Sequence, residues 1–199
     1  MVTGELLGDG HIRYDPIKAP NNQGRLIFTF SAKILHYVKY LKNVALVSIS
    51  TNSEATPWPN PKVTGKEPTQ YWFSTKSLPA ITKLHSIWYK NVEGKFIKVL
   101  PPNIYELLTP VSIAHWIMGD GYFTDNNVKI CTDNFTKEEV LILIKVLNDK
   151  FGIKATINKR SNSNGSVWRI RISKESMVKL RLLVSPYFIP EMLYKLGVN

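Results

Sequence analysis

The tripeptide Gly-Asp-Gly occurs twice in this chain, as Gly8-Asp9-Gly10 and Gly119-Asp120-Gly121, each time directly after a short apolar segment, residues 2–7 and 113–118. With 11 Gly and 6 Asp in 199 residues, about 0.02 such tripeptides would arise by chance, so the pair is a signal. Each apolar segment reads as a helix stopped by glycine. Two matching helices that each end in one carboxylate imply a single site built across a pseudo-twofold axis. Gly8 and Gly119 would let the two helices approach closely. Asp9 and Asp120 would then repel each other at the negative helix ends and favour a bound cation.

The segments after each motif repeat in order. After Asp9 the pattern predicts an extended start at 11–14, a loop through Pro20-Asn21-Asn22, a strand at 25–32 and a helix at 34–47. A Pro- and Gly-punctuated stretch at 56–68 precedes a strand at 70–76 and a helix at 78–91. After Asp120 it predicts a strand at 122–124, an Asn126-Asn127 turn and a strand at 128–132. A helix at 136–151 follows, with Asn134 as its cap and Gly152 beyond its end. A hairpin then pairs 153–160 with 167–173 across 161–165, before a last helix from Glu175. Asp9 to Trp72 spans 63 residues and Asp120 to Trp168 spans 48, so the first half carries an insertion, placed at 57–68. The expected fold class is α+β: two tandem αββαββα lobes with antiparallel sheets, residues 1–99 and 100–199. One irregular α+β domain is the competing architecture.

In 153–160, Ile153, Ala155 and Ile157 alternate with Lys154, Thr156, Asn158 and Arg160; in 167–173, Trp168, Ile170 and Ile172 alternate with Arg169, Arg171 and Ser173. One face is apolar, and the other is dense in donors and, on these strands, free of acids. A two-stranded ribbon fits a DNA major groove, where Arg, Lys and Asn can read base edges. The candidate DNA-binding residues are therefore Lys129, Lys154, Thr156, Asn158, Arg160, Arg169 and Arg171. The first half offers Arg13, Arg25, Lys62, Gln70, Ser74 and Lys76. A merely solvated basic face is the plainer alternative. Trp58, Trp72, Trp88, Trp116 and Trp168 are all expected in the core.

Composition narrows the partner. Net charge is +11, and the 26 Lys and Arg divide evenly, 13 in residues 1–99 and 13 in 100–199. That suits a polyanion gripped by two lobes rather than a basic tail. Cys131 is the sole cysteine, so a disulfide framework and a thiolate zinc cage are both excluded. No apolar run approaches the roughly 20 residues of a membrane span. The first motif begins almost at Met1, and the expectation is that an N-terminal extension has been trimmed. His11 and His115 adjoin the motifs but are expected to be satisfied locally rather than to bind metal.

Val2-Thr3-Gly4-Glu5-Leu6-Leu7-Gly8-Asp9-Gly10 and Ile113-Ala114-His115-Trp116-Ile117-Met118-Gly119-Asp120-Gly121 resemble two LAGLIDADG nonapeptides. The lead-in Leu108-Thr109-Pro110-Val111-Ser112, the segment Phe135-Thr136-Lys137-Glu138-Glu139-Val140, and Ile189-Pro190-Glu191-Met192-Leu193-Tyr194-Lys195-Leu196 are similar to single-chain, intron-encoded homing endonucleases of the omega type. The first acidic position of the motif is Leu7 in one copy and Met118 in the other, a departure at the less demanding acid.

The resemblance implies a monomeric, site-specific endonuclease whose saddle-shaped sheets grip a long asymmetric DNA duplex and leave 3′ overhangs. Asp9 and Asp120, with the adjoining Gly8 and Gly119, would form the metal site, and Lys98 and Lys195 match basic residues beside each active centre. Mg²⁺ is the expected cofactor, because it takes one or two carboxylates and completes its shell with water and phosphate oxygens. Mn²⁺ would substitute, and Ca²⁺ would support binding without cleavage. Ser31 and Thr132 are candidates for water positioning. The alternatives are an RNA maturase that binds its own intron and a DNA-binding relative without catalysis. The Lys- and Asn-rich composition suits an AT-rich organelle genome, so the expected location is mitochondrial.

Overall fold

The computed structural model describes residues 1–162 and 165–198; Ser163 and Asn164, in the expected hairpin turn, lie outside the described residues. Contacts divide the chain into two compact units, Asp9–Tyr89, and Met1–Gly8 together with Lys90–Asn199. This grouping follows packing, whereas the expected division at residue 99 follows the repeat: the first motif helix is carried with the second half.

In the Asp9–Tyr89 unit, β1 (His11–Arg13), β2 (Arg25–Ser31), β3 (Thr56–Trp58) and β4 (Gln70–Ser74) form an antiparallel sheet in the order β1-β2-β4-β3. Period-2 alternation sends Leu26, Phe28, Phe30 and Phe73 inward, and Phe28 stacks on Phe73 with ring centroids 4.9 Å apart. Two helices cover this face, α2 (Leu35–Tyr40) and α4 (Pro79–Trp88). The expected helix at 34–47 is broken: 3-10 geometry at Ala32–Ile34 precedes α2 and a π turn at Leu41–Ala45 follows it. The punctuated stretch at 56–68 holds β3 and a single turn, α3 (Pro61–Thr64), with Asn60 as its N-cap and Gly65 at φ 65°. Helix α4 ends at Trp88, three residues before the expected 91. There the ring of Tyr89 stacks on buried His85 at 4.6 Å, and its hydroxyl accepts from the Ile12 amide at 2.9 Å.

The sequence pattern does not announce the next element, a two-stranded hairpin of β5 (Tyr89–Val92) and β6 (Lys95–Lys98). Glu93 and Gly94 take φ of 51° and 80° at its tip, as a primed hairpin turn requires.

In the second unit, α1 (Val2–Leu7) packs on α6 (Pro110–Asp120), preceded by the single turn α5 (Ile104–Leu107). Helix α6 is apolar nearly all round because it is enclosed: Ile113, Ala114, Trp116, Ile117 and Met118 are fully buried. Thr109 and Ser112 form its capping box. Strands β7 (Gly121–Thr124), β8 (Asn127–Cys131), β9 (Ala155–Asn162) and β10 (Gly165–Ile172) form an antiparallel sheet in the order β7-β8-β10-β9, the order found in the other unit. Helix α7 (Lys137–Phe151) packs on β9 and β10, and α8 (Met177–Val184) packs on α6.

The repeat is therefore real, with two corrections to its details. Thr136, not Asn134, caps α7: its side chain accepts from the Glu139 amide while Glu139 accepts from the Thr136 amide. The tight turn between β7 and β8 is Asp125-Asn126, at φ 54° and 61°. Both are residue types that tolerate the left-handed region, and Asn127 already belongs to β8.

Candidate metal centre and nucleic-acid interface

Glycine serves the motif helices differently from the expected stop signal. Gly8, at φ −105°, and Gly121, at φ −85°, are not left-handed, and α6 runs through Asp120 itself. What the glycines provide is room. A Cβ on Gly4 would fall 2.1 Å from the Ser112 carbonyl oxygen, and one on Gly8 would fall 2.8 Å from Asp120 Oδ2. Gly4 and Gly8, one turn apart, thus let α1 lie against α6 at backbone distance. Gly4 is a determinant that the tripeptide motif does not reveal; the Gly-x-x-x-Gly spacing was its signal. Asp9 follows Gly8 directly in the chain and is the first residue of the other unit.

Beneath the motif ends, Glu5 and His115 are both buried, and His115 Nδ1 lies 2.8 Å from Glu5 Oε1. His115 is therefore satisfied locally, as expected. His11 is exposed at the start of β1.

Lys98 and Lys195 occupy matching positions. Lys98 Nζ donates to the carbonyls of Leu6 at 3.0 Å and Gly8 at 3.1 Å. Lys195 Nζ, buried, donates to Met118 at 2.6 Å and Gly119 at 2.9 Å. Each ammonium neutralises the negative end of a motif helix and satisfies carbonyls that the helix leaves without partners. Gly8 and Gly119, expected in the metal site, thus present carbonyls that already accept from a lysine.

The donor set fits a hard divalent ion. Among the described residues no group of three or more His, Cys, Asp or Glu is gathered. Mg²⁺ needs fewer protein ligands, one or two carboxylates, with water and phosphate filling the rest. The Asp120 carboxylate beside Gly8 meets that requirement.

The sheet faces away from the helices carry most of the predicted DNA-binding residues. In the larger unit, Arg169 lies opposite Cys131 and Asn158, and Arg171 opposite Lys129 and Thr156. Arg160 lies opposite Val167 on the same face. The expectation of an acid-free surface needs correction, because flanking turns supply acids. Asp133 accepts from Arg169 Nε and Nη2, both at 3.3 Å, and Asp125 accepts from Lys129 at 2.9 Å. Tyr122 Oη accepts from Arg169 Nη1 at 3.1 Å. Burial opposes the Arg169 charge, but these bonds outweigh it and raise its pKa above the ordinary value. Lys154 precedes β9 and pairs with Glu175 at 3.4 Å.

In the smaller unit Arg13 and Arg25 lie directly opposite each other, a like-charge pair that favours an anionic partner. Gln70 is exposed on β4, whereas Ser74 is buried. Lys62 sits on α3 and Lys76 beyond β4, so neither is on the sheet. Ser31 Oγ accepts from the Lys33 amide. Thr132 is buried, and its hydroxyl donates to the Trp168 carbonyl, which leaves it poorly suited to holding a water.

Trp88 and Trp116 are core residues, as expected, and Trp168 is half-buried with Lys137 and Lys159 ammonium groups over its ring. Trp58 and Trp72 contradict that expectation, being 65% and 41% exposed. The register gives the reason. His11 and Tyr122 each follow a Gly-Asp-Gly; His11 leads through Ile27 and Thr29 to Trp72, and Tyr122 leads through Lys129 and Cys131 to Arg169. Trp72 therefore corresponds to Arg169, not to Trp168, and one residue of offset reverses the face. The spacing then becomes identical: 26 residues from Trp72 to Lys98 and 26 from Arg169 to Lys195.

Comparison with known proteins agrees with this architecture. The solved structure of the homing endonuclease I-WcaI bound to its DNA recognition sequence matches all of this chain and 84% of that one, at 29% identity and a TM-score of 0.79. That of I-DmoI in complex with DNA and Mn matches 92% and 95% of the two chains at 16% identity and a TM-score of 0.58, a likeness of fold. The cytochrome b mRNA maturase bI2 of Saccharomyces cerevisiae is 34% identical over 99% of this chain, which spans 46% of that protein's length. No helix among the described residues is long and apolar enough to cross a membrane. Residues 1–180 match the model of the LAGLIDADG DNA endonuclease family, and with paired motif helices and two like-ordered sheets the chain belongs to that family.

Proposed function

We propose that this protein is a monomeric, site-specific DNA endonuclease that hydrolyses both strands of a long asymmetric duplex and leaves 3′ overhangs. The observation that carries this reading is the retained acid in both motif copies, with Asp120 lodged against the Gly8 backbone and a lysine clamped to the end of each motif helix. RNA binding alone requires no such arrangement.

Asp9 and Asp120 would hold Mg²⁺, which suits a pair of carboxylates. A divalent ion in general is supported by the Mn complex of the I-DmoI neighbour; Mn²⁺ would substitute, and Ca²⁺ would support binding alone. When bound, such an ion lowers the pKa of its water and stabilises the leaving oxygen of a phosphodiester. Gly4 and Gly8 bring the backbone of α1 to the Asp120 carboxylate. Lys98 and Lys195 hold an ammonium at the end of each motif helix, where they would offset charge that develops at the phosphate. Arg13, Arg25, Lys129, Arg160, Arg169 and Arg171 would engage the duplex, and their summed charge predicts binding that weakens steeply with salt. A mitochondrial location is supported by the Lys- and Asn-rich composition and the likeness to a cytochrome b mRNA maturase.

The test is a duplex carrying the intron-insertion site, incubated with protein and Mg²⁺. Wild type should cut both strands, and Asp9→Asn or Asp120→Asn should abolish cutting while Ca²⁺-supported binding persists. Undiminished cutting by both variants would refute the site. The maturase likeness favours a second reading, assistance of intron splicing. It predicts faster splicing of the precursor RNA with the Asn variants as well.

A further inference from the structure

The two sheets share strand order and register, yet of five matched positions on their outer faces four exchange a cation for an uncharged side chain. Continuing the correspondence through the strand pairs, Trp72 stands where the larger unit has Arg169, and Ser74 where it has Arg171. Ile27 stands where it has Lys129. Thr56 and Trp58, opposite Trp72 and Gln70, stand where it has Asn158 and Arg160. Four cationic side chains in one sheet are thus replaced by two tryptophans, an isoleucine and a serine in the other.

Period-2 geometry puts Ile27, Trp58 and Trp72 on one face, and Trp58 lies diagonally across from Trp72, within reach of long side chains. Trp72 on a central strand and Trp58 on the edge strand are exposed, and Ile27 is half-buried. Such an apolar patch on a basic protein's sheet face is costly in water and calls for an apolar counterpart. The same face carries the opposed Arg13 and Arg25, so the counterpart belongs to a polyanion. The major groove of a DNA duplex presents one such group, the C5 methyl of thymine, on the edge that a sheet can reach.

We infer that the Asp9–Tyr89 sheet selects thymine methyls through Trp72, Trp58 and Ile27, whereas the larger unit's sheet selects guanine through Arg169 and Arg171. Asp133 and Tyr122 hold the Arg169 fork in a fixed plane, the preorganisation that bidentate pairing with guanine O6 and N7 requires. The target would be chemically lopsided, with thymine methyls in one half and guanine in the other. The inference rests on the duplex-binding reading above and specifies its substrate.

The experiment uses the full chain and a bound duplex selected from a random library in Ca²⁺, so that it reads affinity without cleavage. Deoxyuridine replaces thymidine in one half at a time, which removes only the methyl groups. Binding should weaken 5- to 30-fold in one half and less than 2-fold in the other, and Trp72→Ala should erase the sensitive half's response. In that variant Trp88 and Trp116 are untouched, so folding is checked by their buried fluorescence. Equal response of both halves, or a response that survives in Trp72→Ala, overturns the inference and leaves duplex binding standing. Selection of no duplex at all, or only of RNA, overturns the endonuclease reading together with it.

Discussion

The Asp120 carboxylate occupies the space that any side chain at Gly8 would need, with Oδ2 2.8 Å from the position of a Cβ there. One helix thus supplies the acid and the other supplies the absence of a side chain that lets the acid lie flat against it. Gly8→Ala should fold with near-native stability, since the far end of a carboxylate can move, yet on the proposed function it should lose most cleavage because the movement displaces an oxygen proposed to hold the metal. Gly4→Ala meets the backbone oxygen of Ser112 instead, and should destabilise by about 1–3 kcal/mol, the range for overpacked sites. Thermal melts beside cleavage rates separate the two; a stable, active Gly4→Ala would mean that α1 does not need close approach.

Lys98 and Lys195 each tie off two carbonyls, but Lys195 is the more buried. Methionine keeps the stem of either side chain and removes its charge and donors. Lys195→Met should cost about 1–3 kcal/mol, the penalty for stranding buried acceptors, and Lys98→Met less. Denaturant midpoints give the stability change. If cleavage falls much further than folded fraction in both, the ammonium groups act on the reaction as well as on the helix ends.

Glu5 and His115 form a buried pair inside the α1–α6 interface. Removing one partner strands the other away from water: Glu5→Ala or His115→Ala should cost about 3–5 kcal/mol, while an apolar replacement of both should be far milder. A double-mutant cycle by equilibrium unfolding reads the coupling. Additive losses would show that the two residues do not interact in solution.

His85 titrates below its ordinary value of 6.5, because burial disfavours the imidazolium more than nearby Asp15 favours it. A histidine with a depressed native pKa binds more protons unfolded than folded. Its contribution is complete above pH 6.5 and is lost as pH falls through that value toward the native pKa. The Asp9–Tyr89 unit should accordingly melt at lower temperature as pH drops below 6.5, and His85→Phe, which retains a ring against Tyr89, should flatten that slope. The same slope in both proteins would place the acid sensitivity elsewhere.

Local chemistry made much of this protein legible in its sequence. The Gly-Asp-Gly pair marked both motif helices, and period-2 alternation in 153–160 and 167–173 assigned the core face to Ile170 and Ile172 and the donor face to Arg169 and Arg171. The expected bounds of α7 fell within one residue, with Gly152 marking its end although the cap is Thr136 rather than Asn134, since such signals act between neighbours along the chain. Other features depend on residues far apart in sequence. Gly4 matters because of Ser112, the hairpin of Tyr89–Lys98 carries Lys98 to the end of α1, and Asp133 reaches Arg169 across 36 positions. Trp72 shows the division most plainly. Its sequence could state that a strand lies there, but whether the indole faces core or solvent turns on a single residue of register. Pairing with Thr29 and Thr56 settles that register, through hydrogen bonds that exist only once the sheet has formed.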